Sequence, residues 1–183
     1  MTLSDLQALC AEIRVVLPNA IIGGGACRDV YFGKPIKDID VFVDVPDLPG
    51  SLKTLATHLE GTADLCGSSG PLDCPQGTVF FQDDRIELNV VNRQGVDIID
   101  DIHDYDFGLS QIAVTPNGVI MTPKFVEDAT RMGITYTHAD DDRPRWHRES
   151  SAKRLTRLAE KYPNFAPRRT EILDAINESG TFT

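Results

Sequence analysis

Long apolar runs are missing from this chain. No stretch of its 183 residues approaches the roughly 20 consecutive apolar residues that a membrane-spanning helix needs, so no span and no membrane partner are expected. A basic-then-apolar leader is missing too, which predicts a cytoplasmic protein. The cysteines Cys10, Cys27, Cys66 and Cys74 form no C-x-x-C pair. That spacing argues against a zinc site and gives no disulfide framework, so they read as free thiols. The histidines His58, His103, His138 and His147 have no i,i+4 partner among themselves, and each reads as structural or exposed. No G-x-x-x-x-G-K-[ST] loop occurs, and no G-x-S-x-G elbow. Positive charge is scarce over most of the length. Residues 1–142 hold nine Lys and Arg against 23 Asp and Glu, a balance of −14. Residues 143–169 reverse it, with nine Lys and Arg against two Glu, or +7. An acidic body discourages broad nucleic-acid binding, whereas the basic segment is either a phosphate-holding surface or a solvated amphipathic helix.

What is present is ordinary globular material, 41% apolar and 25% charged. Ser4 or Asp5 is placed to cap a first helix running to about Leu17, with Leu6, Leu9, Cys10, Ile13, Val16 and Leu17 on one face. Strands are expected at Ala20–Ile22, Ile39–Val43, Thr78–Gln82, Ile86–Val91, Leu109–Thr115 and Val119–Thr122, with a short one at Ile134–Thr137. Pro116-Asn117-Gly118 is a hairpin signal between two of them. Helices are expected near Ala26–Phe32, around Leu52, Leu55 and Leu59, after Pro123, over Arg145–Lys161 and from Pro167 to about Asn177. The stretch Gly67 to Gly77 reads as a loop. This order predicts an α/β (α+β) fold, a mixed sheet with flanking helices and a short helical C-terminal extension. The expected division is a body over residues 1–142 and a basic helical extension over 143–183.

Chemistry concentrates in IIGGGACRDVYFGKPIKDIDVFV, Ile21 to Val43. Side chains two apart on a strand share a face, so Asp38 and Asp40 project together while Ile39 and Val41 enter the core. Two adjacent carboxylates repel, and a divalent cation removes the conflict; oxygen ligands suit magnesium. D-x-D alone is also compatible with two solvated acids. Gly23-Gly24-Gly25 let backbone approach a ligand closely, and a following helix would favour phosphate. Arg28 reads either as a phosphate ligand or as structural glue near Asp29.

The succession Gly24-Gly25-Ala26-Cys27-Arg28-Asp29, Gly33 and Lys37-Asp38-Ile39-Asp40 resembles the nucleotidyltransferase superfamily, in particular the head domain of CCA-adding enzymes and bacterial poly(A) polymerases. IELNVVNRQ from Ile86 is similar to the family strand bearing a third carboxylate, which would be Glu87. DYDFGLSQIAV from Asp104 is similar to R-R-D-F-T-x-N-A. RWHRESSAKRLTRLAEKYPNF loosely follows the next helical segment, so the likeness runs from about residue 20 to about residue 165. It implies a nucleotidyltransferase fold binding a nucleoside triphosphate such as ATP with Mg2+ or Mn2+. Asp38, Asp40 and Glu87 would be the catalytic and metal-ligating residues. Gly24, Gly25, Arg28, Asp106, Lys153, Arg154 and Arg157 would bind nucleotide. The acceptor would be an RNA end, a protein or a small molecule.

The sequence departs from the family in two places. Asp104 and Tyr105 replace the paired arginines, with Gly108 and Ser110 at the Thr and Asn positions. In the base-reading E-D-x-x-R, Glu149 is followed by Ser150, and Lys153 stands at the Arg position. Lys is a mobile point charge, unlike the planar fork of Arg. A second reading is therefore a nucleotide-binding or regulatory module that keeps the fold without turnover.

Overall fold

The computed structural model describes residues 1–65, 76–81, 86–165 and 169–178. Cys66, Cys74, most of the expected Gly67–Gly77 loop, and the acids Asp83 and Asp84 lie outside them. Among the described residues no helix is long and apolar enough to cross a membrane. The chain forms two compact units, one of Met1–His103 with Ile112–Met121, the other of Asp104–Gln111 with Thr122–Thr183.

The first unit carries a seven-stranded mixed sheet. Helix α1 (Leu3–Arg14) starts two or three residues earlier than a cap at Ser4 or Asp5 would place it, because Thr2 is the cap. Thr2 Oγ1 accepts the Asp5 N–H at 3.2 Å and Asp5 Oδ2 accepts the Thr2 N–H at 2.6 Å, a reciprocal capping box. Leu6, Cys10, Ile13 and Leu17 are fully buried from this segment. There follow β1 (Ile21–Gly23), α2 (Gly25–Tyr31), β2 (Ile39–Val43), α3 (Leu48–His58), β3 (Gly61–Asp64), β4 (Gln76–Phe81), β5 (Leu88–Asn92), α4 (Ile98–Asp101), β6 (Ile112–Thr115) and β7 (Gly118–Met121). The sheet order is β3-β4-β5-β2-β1-β6-β7. Strands β2 and β5 pair in parallel, and the remaining pairings are antiparallel. The hairpin turns at Asn117, with Thr115 opposite Gly118.

Along β2 and β5 burial alternates. Ile39, Val41 and Val43, with Leu88, Val90 and Asn92, are buried, while Asp40, Phe42, Asn89 and Val91 are half-buried on the other face. Asn92 is buried yet satisfied. Its Oδ1 accepts the Val45 N–H at 3.0 Å and its Nδ2 donates to the Val45 carbonyl at 2.8 Å. The side chain thus substitutes for a strand neighbour just past the end of β2.

The second unit holds α5 (Pro123–Arg131), α6 (Arg145–Lys161) and α7 (Arg169–Glu178). It also takes in Asp104–Gln111, so the compact units do not follow the charge boundary after residue 142. The physical reason is Asp106, which is bonded to α6. The strand expected from Leu109 begins only at Ile112, because Gly108–Ser110 is a tight 3-10 turn. The strand expected at Ile134–Thr137 reduces to a single bridge between Tyr136 and Phe107. There the Thr135 N–H goes to Asp128 Oδ2 at 2.9 Å instead of to a strand neighbour.

Candidate functional site

Register sets the site in the first unit. Asp40 stands opposite Gly23 on one side and opposite Asn89 on the other. Gly23 is followed at once by the turn at Gly24. The sheet therefore places the glycine turn and the carboxylate strand side by side, as neither motif does alone. Ile39 donates its N–H to the Glu87 carbonyl at 3.0 Å, which continues the parallel register one step back. Asp38 and Glu87 hence fall in the same phase of the alternation as Asp40 and Asn89.

Asp40 is half-buried, and its Oδ1 accepts the Asn89 amide N–H at 3.4 Å. Asn89 Oδ1 in turn accepts the Thr78 hydroxyl at 3.2 Å. Asp38 lies just before β2, with its side chain 39% exposed and the highly exposed Lys37 ammonium at 3.4 Å. An exposed pair of this kind contributes little to stability and leaves the carboxylate reachable.

The glycine turn is locally strained in the way only glycine tolerates. Gly24 has φ 70° and ψ −127°, and its N–H donates to the Ile112 carbonyl at 2.8 Å. Helix α2 then begins at Gly25 and runs for seven residues. Arg28 and Asp29 are both buried on it. The Arg28 guanidinium donates from Nε at 3.0 Å and from a terminal nitrogen at 2.9 Å to Asp29 Oδ1. This is the structural-glue reading of Arg28, with Asp29 itself as the partner. Neighbouring Cys27 is buried, and burial pushes its thiol up to about 12. It stays protonated at neutral pH and is no nucleophile.

Donor chemistry at this strand end fits a magnesium ion of limited protein ligation. Asp38 and Asp40 supply two carboxylates on one face, and Mg2+ commonly takes one or two carboxylates with water and phosphate oxygens completing the shell. Among the described residues no group of three or more His, Cys, Asp or Glu is gathered as a metal cage. Glu87 has the right register, but its exposed side chain is not drawn into a set with the two aspartates.

The remaining sequence candidates sit in the second unit. Asp106 is buried, accepts the Ser151 hydroxyl at 2.9 Å and forms an ion pair with Arg154. These two candidate nucleotide ligands are thus each other's partners. Lys153 and Arg157 are exposed on α6. Gly108 also has a reason of its own. A Cβ there would meet Asp128 Oδ2 at 2.6 Å, so the Thr of the resembling family does not fit while Asp128 holds Thr135. Sequence reasoning missed Asn89, Thr78 and Asn92. Asn89 carried a weak signal, lying two residues after Glu87 in an alternating strand.

No protein-family model and no curated protein matches the chain. Solved structures do match. A tRNA-processing enzyme in an apo form gives a TM-score of 0.69 at 19% identity, over 94% of this chain and 47% of that one. A CCA-adding enzyme in complex with CTP gives 0.64 at 17% identity, over 97% and 46%. The Thermotoga maritima CCA-adding enzyme complexed with tRNA gives 0.63 at 16% identity, over 97% and 46%. The chain shares its fold with part of these CCA-adding and tRNA-processing enzymes. The chain spans about half the length of the structures it matches. At these identities the likeness fixes the fold alone.

Proposed function

We propose that this chain is a metal-dependent nucleotidyltransferase, moving a nucleoside monophosphate from a nucleoside triphosphate to a hydroxyl acceptor. The acceptor is an RNA end, a protein side chain or a small molecule. The observation carrying this reading is the pairing of Asp40 with Gly23, which sets a two-carboxylate strand end beside a glycine turn. Bound CTP, ATP and tRNA in CCA-adding enzymes of the same fold support it.

In this reading Asp38 and Asp40 hold Mg2+ or Mn2+, with Glu87 adding a third oxygen as the site fills. The chemistry supplied by the bound cation is activation of the acceptor hydroxyl and stabilisation of the leaving pyrophosphate. Gly24 and Gly25 allow the backbone to approach the triphosphate, and Arg28, whose guanidinium lies beside Gly25, would orient its phosphates. The bond formed joins the acceptor oxygen to the α-phosphorus. The bond broken is from the α-phosphorus to its bridging oxygen. Pyrophosphate leaves with the electron pair, and the hydroxyl proton passes to solvent. Positioning and charge stabilisation account for most of the rate in reactions of this kind.

Exchanging both acids, Asp38→Asn with Asp40→Asn, should abolish metal-dependent nucleotide binding and leave the fold intact. An unchanged titration in the double variant rejects the assignment. The second reading, nucleotide binding without turnover, draws on Asp106 being engaged by Arg154 and Ser151. Pyrophosphate release from mixed triphosphates with magnesium and candidate acceptors separates the two readings, because only the transferase produces it.

A further inference from the structure

We propose that Thr78 and Asn89 are positioning residues that set the orientation of the Asp40 carboxylate toward its cation. This rests on the metal reading of Asp38 and Asp40 given above. Three strands align the three side chains in one row. Thr78 on β4 is the cross-strand partner of Asn89 on β5, and Asn89 is the partner of Asp40 on β2. Directly opposed side chains on one sheet face are close enough to interact, so the row is fixed by backbone register.

The row has a direction. A primary amide has a donor end and an acceptor end. The Thr78 hydroxyl donates to Asn89 Oδ1 at 3.2 Å, and Asn89 Nδ2 donates to Asp40 Oδ1 at 3.4 Å. Turning the amide over would set its oxygen against a carboxylate oxygen, which is repulsive. Thr78 is buried, and its β-branched side chain has restricted χ1 freedom on a strand, so its hydroxyl is held in place. The bond from Asn89 engages one carboxylate oxygen, Oδ1, and so biases the orientation of the carboxylate. A Lys or Arg at position 89 would also engage Asp40 but would cancel the charge a cation needs. A neutral amide orients the carboxylate and leaves its charge intact. This is the arrangement by which outer residues tune metal ligands.

The test uses the full chain and Mn2+ in the presence of a non-hydrolysable ATP analogue. Free Mn2+ is read by electron paramagnetic resonance and stability by thermal unfolding. Thr78→Val and Asn89→Ala should each weaken Mn2+ binding about 10-fold, the low end for such partner residues. The double variant should be no weaker than either single one, since both remove the same relay. Thr78→Ser keeps the hydroxyl and should bind within about 2-fold of the parent, well inside the loss expected when the partner is removed. Unchanged binding in Asn89→Ala, additive losses in the double variant, or failure of Thr78→Ser to restore binding would each overturn the relay. Should Thr78→Val not fold, Asn89→Ala and Thr78→Ser decide alone. Mn2+ binding that survives Asp38→Asn with Asp40→Asn sinks the metal reading itself. Binding lost in that variant but unchanged in Asn89→Ala sinks only the positioning role.

Discussion

Arg28 and Asp29 have side chains only 10% and 7% exposed, and each neutralises the other. Removing one member takes the adjacent opposite charge away from a buried ionised group, and breaking a buried pair in this way costs about 3–5 kcal/mol. We therefore expect Arg28→Ala to destabilise the chain by about that amount in denaturant unfolding, and Arg28→Ala with Asp29→Asn to recover most of it. A loss under about 1 kcal/mol, the range of an exposed pair, would show that Arg28 is no buried counter-ion. Asp29 was visible in the sequence only as a neighbour in a motif, because nothing in the letters says whether an Arg faces a ligand or the next residue. Asp106 poses the same problem over a longer range. It stands out as an acid in a recognisable segment, but its partner Arg154 lies 48 positions away.

Strands with a clear alternation are legible in the sequence. Ile39–Val43 reads as a strand from its apolar period and is one. Gly61–Asp64 does not, because it has no apolar face; it is half-buried at Gly61 and exposed beyond, and pairing with β4 holds it. Helix α4 was equally hidden. Its four residues are too few for a helical period, and Asp97 starts it by accepting the N–H groups of Ile99 and Asp100. Asn89 and Asn92 look alike in sequence, yet alternation sends one to the half-open face and buries the other. Asn92 meets both backbone groups of Val45, so Asn92→Ala leaves a buried donor and acceptor unsatisfied. The expected cost is about 2–6 kcal/mol, summing about 1–3 for each group. Urea unfolding measures it, and a loss below about 0.5 kcal/mol would mean that water or a neighbour replaces the clamp.

Across the whole molecule, the half-buried His147 and the buried Cys27 act on the acid and alkaline sides of the pH range of greatest stability. Burial, partly opposed by Asp106 and reinforced by His138, Arg143 and Arg154, lowers His147 from its ordinary 6.5. The folded state keeps the ring neutral, so stability is full above pH 6.5 and falls as acid protonates the unfolded chain first. Cys27 works in the opposite direction. Its thiol is raised from 9.0 to about 12, so stability is full below pH 9 and is lost as pH climbs toward 12. Thermal midpoints measured across pH should fall on both sides of that window. His147→Gln should flatten the acid side and Cys27→Ala the alkaline side, and an unaltered profile in either variant would remove that residue from the account. The parallel pairing of β2 with β5 has a kinetic consequence. Asp40 and Asn89 are 49 positions apart, with α3, β3 and β4 between them. Contacts of such separation incur the entropy of closing a long loop before they are rewarded. A chain emerging from the ribosome therefore carries Asp38 and Asp40 well before it carries their neighbour. If Asp38 and Asp40 bind a cation as proposed, Asp40 gains the Asn89 contact late, when β5 docks, and cation binding then reports that the sheet has closed.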